Sequence, residues 1–317
     1  MDLRNAKILV TGASGFIGAN LVQALSGDAG ATVFGASRDA PQSWRLRGLR
    51  DVHLVSLDIL DRNTVDQVFK NSRPDFIVHC ATYGMYLGRE KDKLKTLRTS
   101  VEGFLNILIG AAENGVKGVV NSGTTSEYGR KDTPMSEEML LEPDNTYGVA
   151  KAAATLLGTQ LGDEFGLPVI TLRIFAPYGP YETGTRLIPS LILSYLRGEA
   201  PRLSSGLPVR DFTFVKDIVG AYRKALELLG RKRCGIFNIG NGKQYSISEA
   251  AEKVRCLVGS HLQPEWGSIA TVQKEPPLWV ADREKAKIEL GWEPLYTFED
   301  GLKESIQWFK NNIKLYV

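Results

Sequence analysis

The stretch Lys7-Ile-Leu-Val-Thr11-Gly12-Ala-Ser-Gly15-Phe-Ile-Gly18 decides the fold of this chain. Its mostly apolar first half predicts a buried strand, and the apolar pattern that continues to Leu25 predicts a helix. The glycines between them follow the spacing G-x-x-G-x-x-G, which permits a tight turn with a closely approaching ligand. A helix that begins at such a turn offers N–H groups to a pyrophosphate. The alternative is an ordinary strand-to-helix turn without a ligand.

Strand and helix patterns alternate along the first half of the chain. We expect further strands over 31–36, 53–56, 76–79, 117–121 and 168–173. This alternation predicts an α/β fold with a doubly wound parallel Rossmann sheet. Residues 1–174 are expected to form the dinucleotide-binding domain, which 212–240 rejoins. Residues 175–211 and 241–317 are expected to form a smaller mixed α/β C-terminal lobe that binds the substrate.

Three longer segments flank this pattern. Residues 97–114 and 145–165 predict amphipathic helices, and Arg210-Asp-Phe-Thr-Phe-Val215 predicts a strand. The first residues lead into a strand without a signal-peptide-like apolar region, and no apolar run approaches the length of a membrane span. Three cysteines without metal-ligand spacing indicate reduced thiols in a cytoplasmic protein, and we expect no metal site.

The net charge of +3 is too small to indicate a nucleic-acid partner, and it fits an anionic small ligand.

Tyr147-Gly-Val-Ala-Lys151 places a phenol and an ammonium on one helical face. The lysine, with the charge of a nicotinamide ring, is expected to lower the tyrosine pKa towards neutrality and so create an acid/base for an alcohol oxygen. Alone, this spacing arises by chance in helices whose side chains are merely solvated. The glycine turn at the start of the chain supports the catalytic interpretation of this spacing.

The end of the second strand bears on the choice of cofactor. Arg38 lies where NAD sites place an acidic residue, and a guanidinium suits the 2′-phosphate of NADP(H). A register shift of one residue would restore an acid, Asp39, and with it NAD(H). The third possibility is that Arg38 is simply solvated. We favour NADP(H), with NAD(H) as the alternative.

Together these motifs make the chain resemble the extended short-chain dehydrogenase/reductases, and within them the nucleotide-sugar epimerase/dehydratase/4-ketoreductase group. The resemblance extends from Lys7 to about Trp308. The matching motifs are T-G-A-S-G-F-I-G at 11–18, H-C-A-T at 79–82, Y-G-V-A-K at 147–151, Y-G-P at 178–180, R-D-F-T-F-V-K-D at 210–217 and L-G-W at 290–292.

The resemblance implies a site. Thr124, Tyr147 and Lys151 would be catalytic. The cofactor would contact Gly12, Ser14, Gly15, Phe16, Ile17, Gly18, Ser37, Arg38, Asp58, Ile59, Cys80, Ala81, Thr82, Lys151 and Phe175. The nucleotide-sugar substrate would contact Tyr83, Thr124, Thr125, Arg186 and Arg210.

Departures from the family pattern narrow the activity. Dehydratases carry an Asp-Glu pair after the catalytic threonine, but Thr125 and Ser126 stand here, and Glu127 comes one residue late. We expect an NADPH-dependent 4-ketoreductase of 4-keto-6-deoxy sugars, with an NAD-dependent 4-epimerase as the alternative. A decarboxylating enzyme, a reductase of apolar ketones and a non-catalytic dinucleotide-binding protein are further alternatives.

Two other expectations follow from the resemblance. The helices at 97–114 and 145–165 would form a homodimer interface, where Ala152, Ala153 and Ala154 would allow close approach. Substrate contacts made by an asparagine and a late-loop arginine in many members are replaced by Ala176-Pro177 and Lys274.

Overall fold

A parallel β-sheet lies at the centre of the protein. The computed structural model describes residues 5–27, 30–84, 92–229, 234–269 and 278–316. The strands, in chain order, are β1 (Lys7–Thr11), β2 (Thr32–Ser37), β3 (Val52–Ser56), β4 (Phe76–His79), β5 (Gly118–Thr124), β6 (Val169–Ile174), β7 (Pro177–Tyr178), β8 (Arg202–Leu203), β9 (Val209–Arg210), β10 (Thr213–Phe214), β11 (Cys234–Ile239), β12 (Tyr245–Ser246) and β13 (Glu265–Trp266). The α-helices are α1 (Phe16–Ser26), α2 (Arg62–Ser72), α3 (Lys93–Leu97), α4 (Gly103–Glu113), α5 (Thr146–Phe165), α6 (Leu187–Leu196), α7 (Val215–Leu228), α8 (Ile247–Val258) and α9 (Phe298–Asn311).

Within the described residues the sheet has seven strands in the order β11-β6-β5-β4-β1-β2-β3, and every pair in it is parallel. The chain runs outward from β1 to β3, returns beside β1 as β4, and runs outward again to β11. The winding therefore reverses between β1 and β4, where α/β proteins bind ligands at the carboxyl ends of the strands. The predicted doubly wound parallel sheet is confirmed.

Helices cover both faces of this sheet, so β4 and β6 are buried along their whole length. One face packs against α1 and α7, through side chains that include Leu21 and Tyr222. The other face packs against α2, α4 and α5, through side chains that include Phe69 and Phe104. No helix within the described ranges combines the length and the apolar composition needed to cross a membrane.

A third apolar cluster lies beyond the sheet, among α6, α8 and α9. At its centre the rings of Phe212 and Phe298 stack with their centroids 5.0 Å apart, and Tyr178 packs edge-on against both. After β10 the chain leaves this cluster and returns to the main sheet, where β11 pairs with β6 at the edge.

Two elements differ from the sequence expectation. The helix predicted over 97–114 is interrupted: α3 ends at Leu97, and a π-helical turn over Arg98–Glu102 precedes α4. The strand predicted over 210–215 is divided at Asp211. Its carboxylate accepts hydrogen bonds from the backbone N–H groups of Asn241, Gly242 and Ala281, so the side chain ties this point to two later segments of the chain.

Candidate active site

The glycine turn after β1 is built for close backbone packing. Gly12 has a φ of +70°, and a Cβ there would lie 2.6 Å from the Ala81 nitrogen. A Cβ on Gly18 would lie 2.2 Å from the Gly12 carbonyl oxygen. Side chains at either position would therefore displace backbone. The turn leads into α1, whose N-terminal N–H groups favour an anionic group.

A cavity of about 390 Å³ opens at the carboxyl ends of the central strands. The predicted site residues that line it are Gly12, Ser14, Gly15, Phe16, Ile17, Gly18, Ser37, Arg38, Asp58, Ile59, Cys80, Ala81, Thr82, Tyr83, Thr124, Thr125, Tyr147, Lys151, Arg186 and Arg210. Phe175 does not line it. Its side chain is fully buried against Tyr128 and Met135, because it faces away from the cavity side of the chain.

The turn after β2 brings a cation and a carboxylate to the same edge of the cavity. Arg38 and Asp39 both line it, and both are exposed. Asp39 Oδ1 accepts hydrogen bonds from Ser14 Oγ at 2.8 Å and from Ser37 Oγ at 3.1 Å. The bond from Ser14 is the main cause that lowers the pKa of Asp39. Asp39 therefore presents an ionised carboxylate next to the glycine turn.

Tyr147 lies in the first turn of α5. Asn145 caps this helix by accepting a hydrogen bond from the Gly148 N–H at 2.8 Å. A Cβ on Gly148 would lie 2.3 Å from the Ser126 carbonyl oxygen, so the helix start packs directly on the turn that follows β5. This packing brings Tyr147 and Thr124 to the same wall of the cavity.

Burial dominates the pKa of Tyr147 in the protein without a cofactor. Burial raises it to about 12, although the hydroxyls of Thr82 and Thr124 and the charge of Arg186 act to lower it. Lys151 is not among its main determinants. In the protein without a cofactor the cost of burying the phenolate therefore dominates. The expected lowering involves a bound nicotinamide as well as the lysine, so it stays a prediction for the cofactor-loaded protein.

Lys151 lies one helical turn beyond Tyr147 and is 3% exposed. Its ammonium interacts with Glu127 and with Cys80, and burial lowers its pKa. Cys80 lines the cavity as well. Lys151 lines the cavity too, so its ammonium is available to a bound group.

The Glu127 carboxylate forms hydrogen bonds within the protein that stabilise the fold. Its Oε1 accepts a hydrogen bond from the Thr124 N–H at 2.8 Å, and its Oε2 accepts hydrogen bonds from Arg173 Nε at 2.8 Å and Thr155 Oγ1 at 2.9 Å. Glu127 and Arg173 are almost completely buried. Glu127 does not line the cavity.

Two arginines reach the cavity from the C-terminal half of the chain. Arg186 Nε lies 3.5 Å from Glu182 Oε1, and burial raises the pKa of Glu182 to about 8. The Arg210 guanidinium lies 5.3 Å from the centre of the Trp279 ring. With Lys95, whose ammonium lies 4.6 Å from the Tyr83 ring centre, they place positive charge around the cavity, which suits phosphate groups.

Sequence reasoning missed several residues that line the cavity, namely Lys95, Thr99, Asp144, Asn145 and Trp279. None belongs to the quoted motifs, and no spacing in the chain connects them with the strand ends. Ala176 and Pro177 also line the cavity, so that wall lacks the amide of an asparagine. Lys274 lies outside the described residues.

These features fit a nicotinamide dinucleotide. The glycine turn leaves room only for backbone beside α1, as a pyrophosphate requires. Arg38, Asp39 and Lys151 line the same cavity as the glycine turn, so polar groups that suit ribose hydroxyls accompany the cradle for a pyrophosphate. In addition, Thr82 Oγ1 is buried and has no hydrogen bond of ordinary geometry with any described residue. A bound group would complete it.

Comparison with known proteins agrees with this geometry. The chain is 29% identical to the UDP-glucose 4-epimerase of Halalkalibacterium halodurans over 96% of both chains. It is 29% identical to the dTDP-glucose 4,6-dehydratase of Xanthomonas campestris pv. campestris, over 96% of this chain and 93% of that one. It is also similar to the crystal structure of the UDP-glucuronic acid 4-epimerase of Bacillus cereus in complex with UDP-glucuronic acid and NAD, with a TM-score of 0.86, 26% identity, and coverage of 96% of this chain and 99% of that chain.

Residues 8–240 match the NAD dependent epimerase/dehydratase family, which covers most of the chain. The relatives act on nucleotide sugars, and the sheet, the glycine turn and the Tyr147 helix are those that the resemblance implied. The chain belongs to the NAD dependent epimerase/dehydratase family.

Proposed function

We propose that the protein is an NAD-dependent nucleotide-sugar 4-epimerase, which works through a 4-keto sugar. The observation that carries this proposal is the meeting of Tyr147, Thr124 and the glycine turn in one cavity. A phenol and a hydroxyl beside a dinucleotide cradle suit the removal and return of a proton on an alcohol oxygen. When bound, the nicotinamide would accept hydride from the sugar carbon and return it.

The residues of the chain would share this chemistry as follows. Tyr147 takes the proton from the sugar 4-hydroxyl and later gives it back. Thr124 donates a hydrogen bond to the same oxygen. Arg186 and Arg210 hold the diphosphate of the substrate, and Lys151 holds the nicotinamide ribose. Because Thr125 and Ser126 carry no carboxylate, they offer no acid for the removal of water, which argues against a dehydratase.

The choice of NAD rests on Asp39. Its carboxylate is held ionised by two serine hydroxyls at the edge of the cavity, where it can accept hydrogen bonds from ribose hydroxyls and would repel a 2′-phosphate. The complex of the Bacillus cereus epimerase contains NAD, which supports the same choice.

A second candidate, the NADPH-dependent 4-ketoreductase, is favoured by one specific observation. Arg38 is exposed at the same edge of the cavity, next to Asp39. A guanidinium there would bind a 2′-phosphate, and an enzyme that draws on NADPH performs a net reduction rather than an isomerisation.

One experiment separates the two candidates. The protein is incubated with UDP-glucose or UDP-glucuronic acid and NAD, without a reductant, and separately with a 4-keto-6-deoxy nucleotide sugar and NADPH. An epimerase converts the UDP-sugar into an isomer of unchanged mass and consumes no cofactor. If the protein consumes NADPH with the keto sugar and forms no isomer from either UDP-sugar, the epimerase proposal is wrong and the ketoreductase takes its place.

We also propose that the protein is a homodimer that associates through the predicted helices at 97–114 and 145–165, together with α3, which leads into the first of them. These neighbouring helices expose apolar side chains, among them Leu94 at 67% and Leu156 at 62%. Ala154 is 1% exposed and packs in the core of the subunit, so it offers little surface to this interface, and Ala152 is 7% exposed.

A further inference from the structure

Thr82 brings a second threonine hydroxyl to the catalytic wall. In the pairing of β4 with β5, His79 stands opposite Asn121. Thr82 and Thr124 each lie three residues beyond this pair, so two adjacent parallel strands deliver them to the same edge of the sheet. Both residues line the cavity together with Tyr147.

The hydrogen bonds of the two threonines differ. Thr124 Oγ1 accepts a hydrogen bond from the Ser126 N–H at 3.3 Å. Thr82 Oγ1 is buried, and it forms no hydrogen bond of ordinary geometry with any described residue, although it is close enough to Tyr147 to act on its pKa. Buried hydroxyls in native structures nearly always have a hydrogen-bond partner. The partner of Thr82 is therefore expected to be a group that arises during the reaction, such as a phenolate, or a group of a bound molecule.

The reaction needs more donors than Thr124 has. Each threonine hydroxyl carries one proton to donate. When Tyr147 acts as a base, its phenolate oxygen and the sugar oxygen are close together and both gain from a donated hydrogen bond. Thr124 can supply only one of them. A charged acceptor forms the stronger hydrogen bond, so leaving the phenolate without a donor would disfavour the basic form of Tyr147.

We propose that Thr82 is a further catalytic residue, which donates its hydroxyl proton to the Tyr147 oxygen and so leaves the Thr124 hydroxyl for the sugar oxygen. The proposal rests on the proposed function in requiring Tyr147 to act as the base. The proton balance is simple: the 4-hydroxyl proton moves to Tyr147 and back, and Thr82 keeps its own proton throughout. The Thr82 hydroxyl already lowers the pKa of Tyr147 in the protein without a cofactor.

The test compares Thr82→Val with Thr82→Ser, which retains the hydroxyl. Thr159→Val is the matched control, because Thr159 lies on the same helix as Tyr147 but donates to the Thr155 carbonyl oxygen and does not line the cavity. Tyr147 is titrated in the NAD-loaded protein by NMR with ring-labelled tyrosine, and its signal is assigned by its loss in Tyr147→Phe. The pH dependence of kcat is measured in parallel.

We expect Thr82→Val to raise the pKa of Tyr147 by about one unit, which is about tenfold less phenolate at a given pH below it. The acid limb of the kcat profile should move to higher pH by the same amount. Thr82→Ser should restore the wild-type pKa, and Thr159→Val should leave it unchanged.

An unchanged Tyr147 pKa in Thr82→Val, or a Thr82→Ser variant that behaves like Thr82→Val, would overturn the role of Thr82. If Thr82→Val does not fold, Thr82→Ala gives the same comparison with a smaller side chain. A wild-type protein that converts no nucleotide sugar would contradict the proposed function, whereas the Tyr147 titration would still decide whether Thr82 donates to the phenolate.

Discussion

The Glu127 carboxylate accepts a hydrogen bond from the Thr124 N–H at 2.8 Å, so a buried acid fixes the backbone of a residue that lines the cavity. The same carboxylate pairs with Arg173, whose Nη1 donates to the Tyr128 hydroxyl at 2.9 Å. That hydroxyl in turn donates to Asn238 Oδ1 at 2.7 Å. The geometry of Thr124 therefore depends on a network that reaches β11 at the edge of the sheet.

Substitution of Glu127 should cost both stability and activity. Glu127→Ala leaves the Arg173 guanidinium without its buried partner, and we expect a loss of about 3–5 kcal/mol in the free energy of unfolding. Urea denaturation measures this loss. Glu102→Ala is the matched control, because Glu102 pairs with Arg98 on the surface and should change stability little. Equal effects of the two substitutions would show that the buried network does not support the fold.

The ionisation of Tyr147 should depend on the cofactor. Its pKa is raised to about 12, so the phenol of the cofactor-free protein stays protonated at neutral pH, and its phenolate appears only as the pH approaches 12. The positive charge of a bound oxidised nicotinamide should lower this pKa. Arg186→Gln should raise it, because Arg186 acts to lower it. Tyrosine NMR would contradict this account if Tyr147 of the cofactor-free protein titrated near pH 7.

Cofactor selection should respond in opposite directions to two adjacent substitutions. Asp39→Asn removes the charge that repels a 2′-phosphate, and we expect NAD binding to weaken by about tenfold, the effect of roughly one lost charge-assisted hydrogen bond. Arg38→Asp should weaken the binding of NADP and shift the cofactor preference of the protein further towards NAD. Fluorescence titration with NADH and NADPH measures both effects. If the ratio of the affinities for NADH and NADPH is the same in Arg38→Asp as in the wild type, the Arg38 guanidinium is only solvated.

Self-association should depend on the exposed face of α5. Leu156→Glu places a charge at the centre of the proposed interface and should shift the protein to a monomer in sedimentation experiments. Leu140→Glu is the control, because Leu140 is 74% exposed in a loop that belongs to neither helix. A monomeric wild type, or a Leu156→Glu variant that remains dimeric, would exclude this surface as the interface.

Local patterns explain what the sequence could predict. The glycine turn, the Tyr147–Lys151 spacing and the alternation of strands and helices each depend on residues close in the chain, and the fold followed from them. Most of the residues of the cavity were implied by the family resemblance that these motifs carry. The carboxyl ends of parallel strands meet at one edge, so Thr82 and Thr124 could be assigned to one site before the structure was known.

What the sequence could not predict has a different cause, namely dependence on contacts between distant residues. The pKa of Tyr147 is set by burial under elements that no local spacing reveals. Arg38 and Asp39 were treated as alternatives, but the turn after β2 brings both to the cavity. Phe175 follows a strand that leads to the site, yet its side chain packs on the far side against Tyr128. Trp279 approaches Arg210 from more than sixty positions along the chain.

The most direct measurement compares wild-type protein with Tyr147→Phe, both loaded with NAD, in the conversion of UDP-glucose or UDP-glucuronic acid into its isomer. Removal of the phenol hydroxyl deletes the proposed acid/base but leaves the glycine turn intact. We therefore predict that Tyr147→Phe binds NAD as tightly as the wild type and loses about 10²- to 10⁴-fold in kcat. A Tyr147→Phe variant that turns over at the wild-type rate would contradict the assignment of Tyr147 as the base.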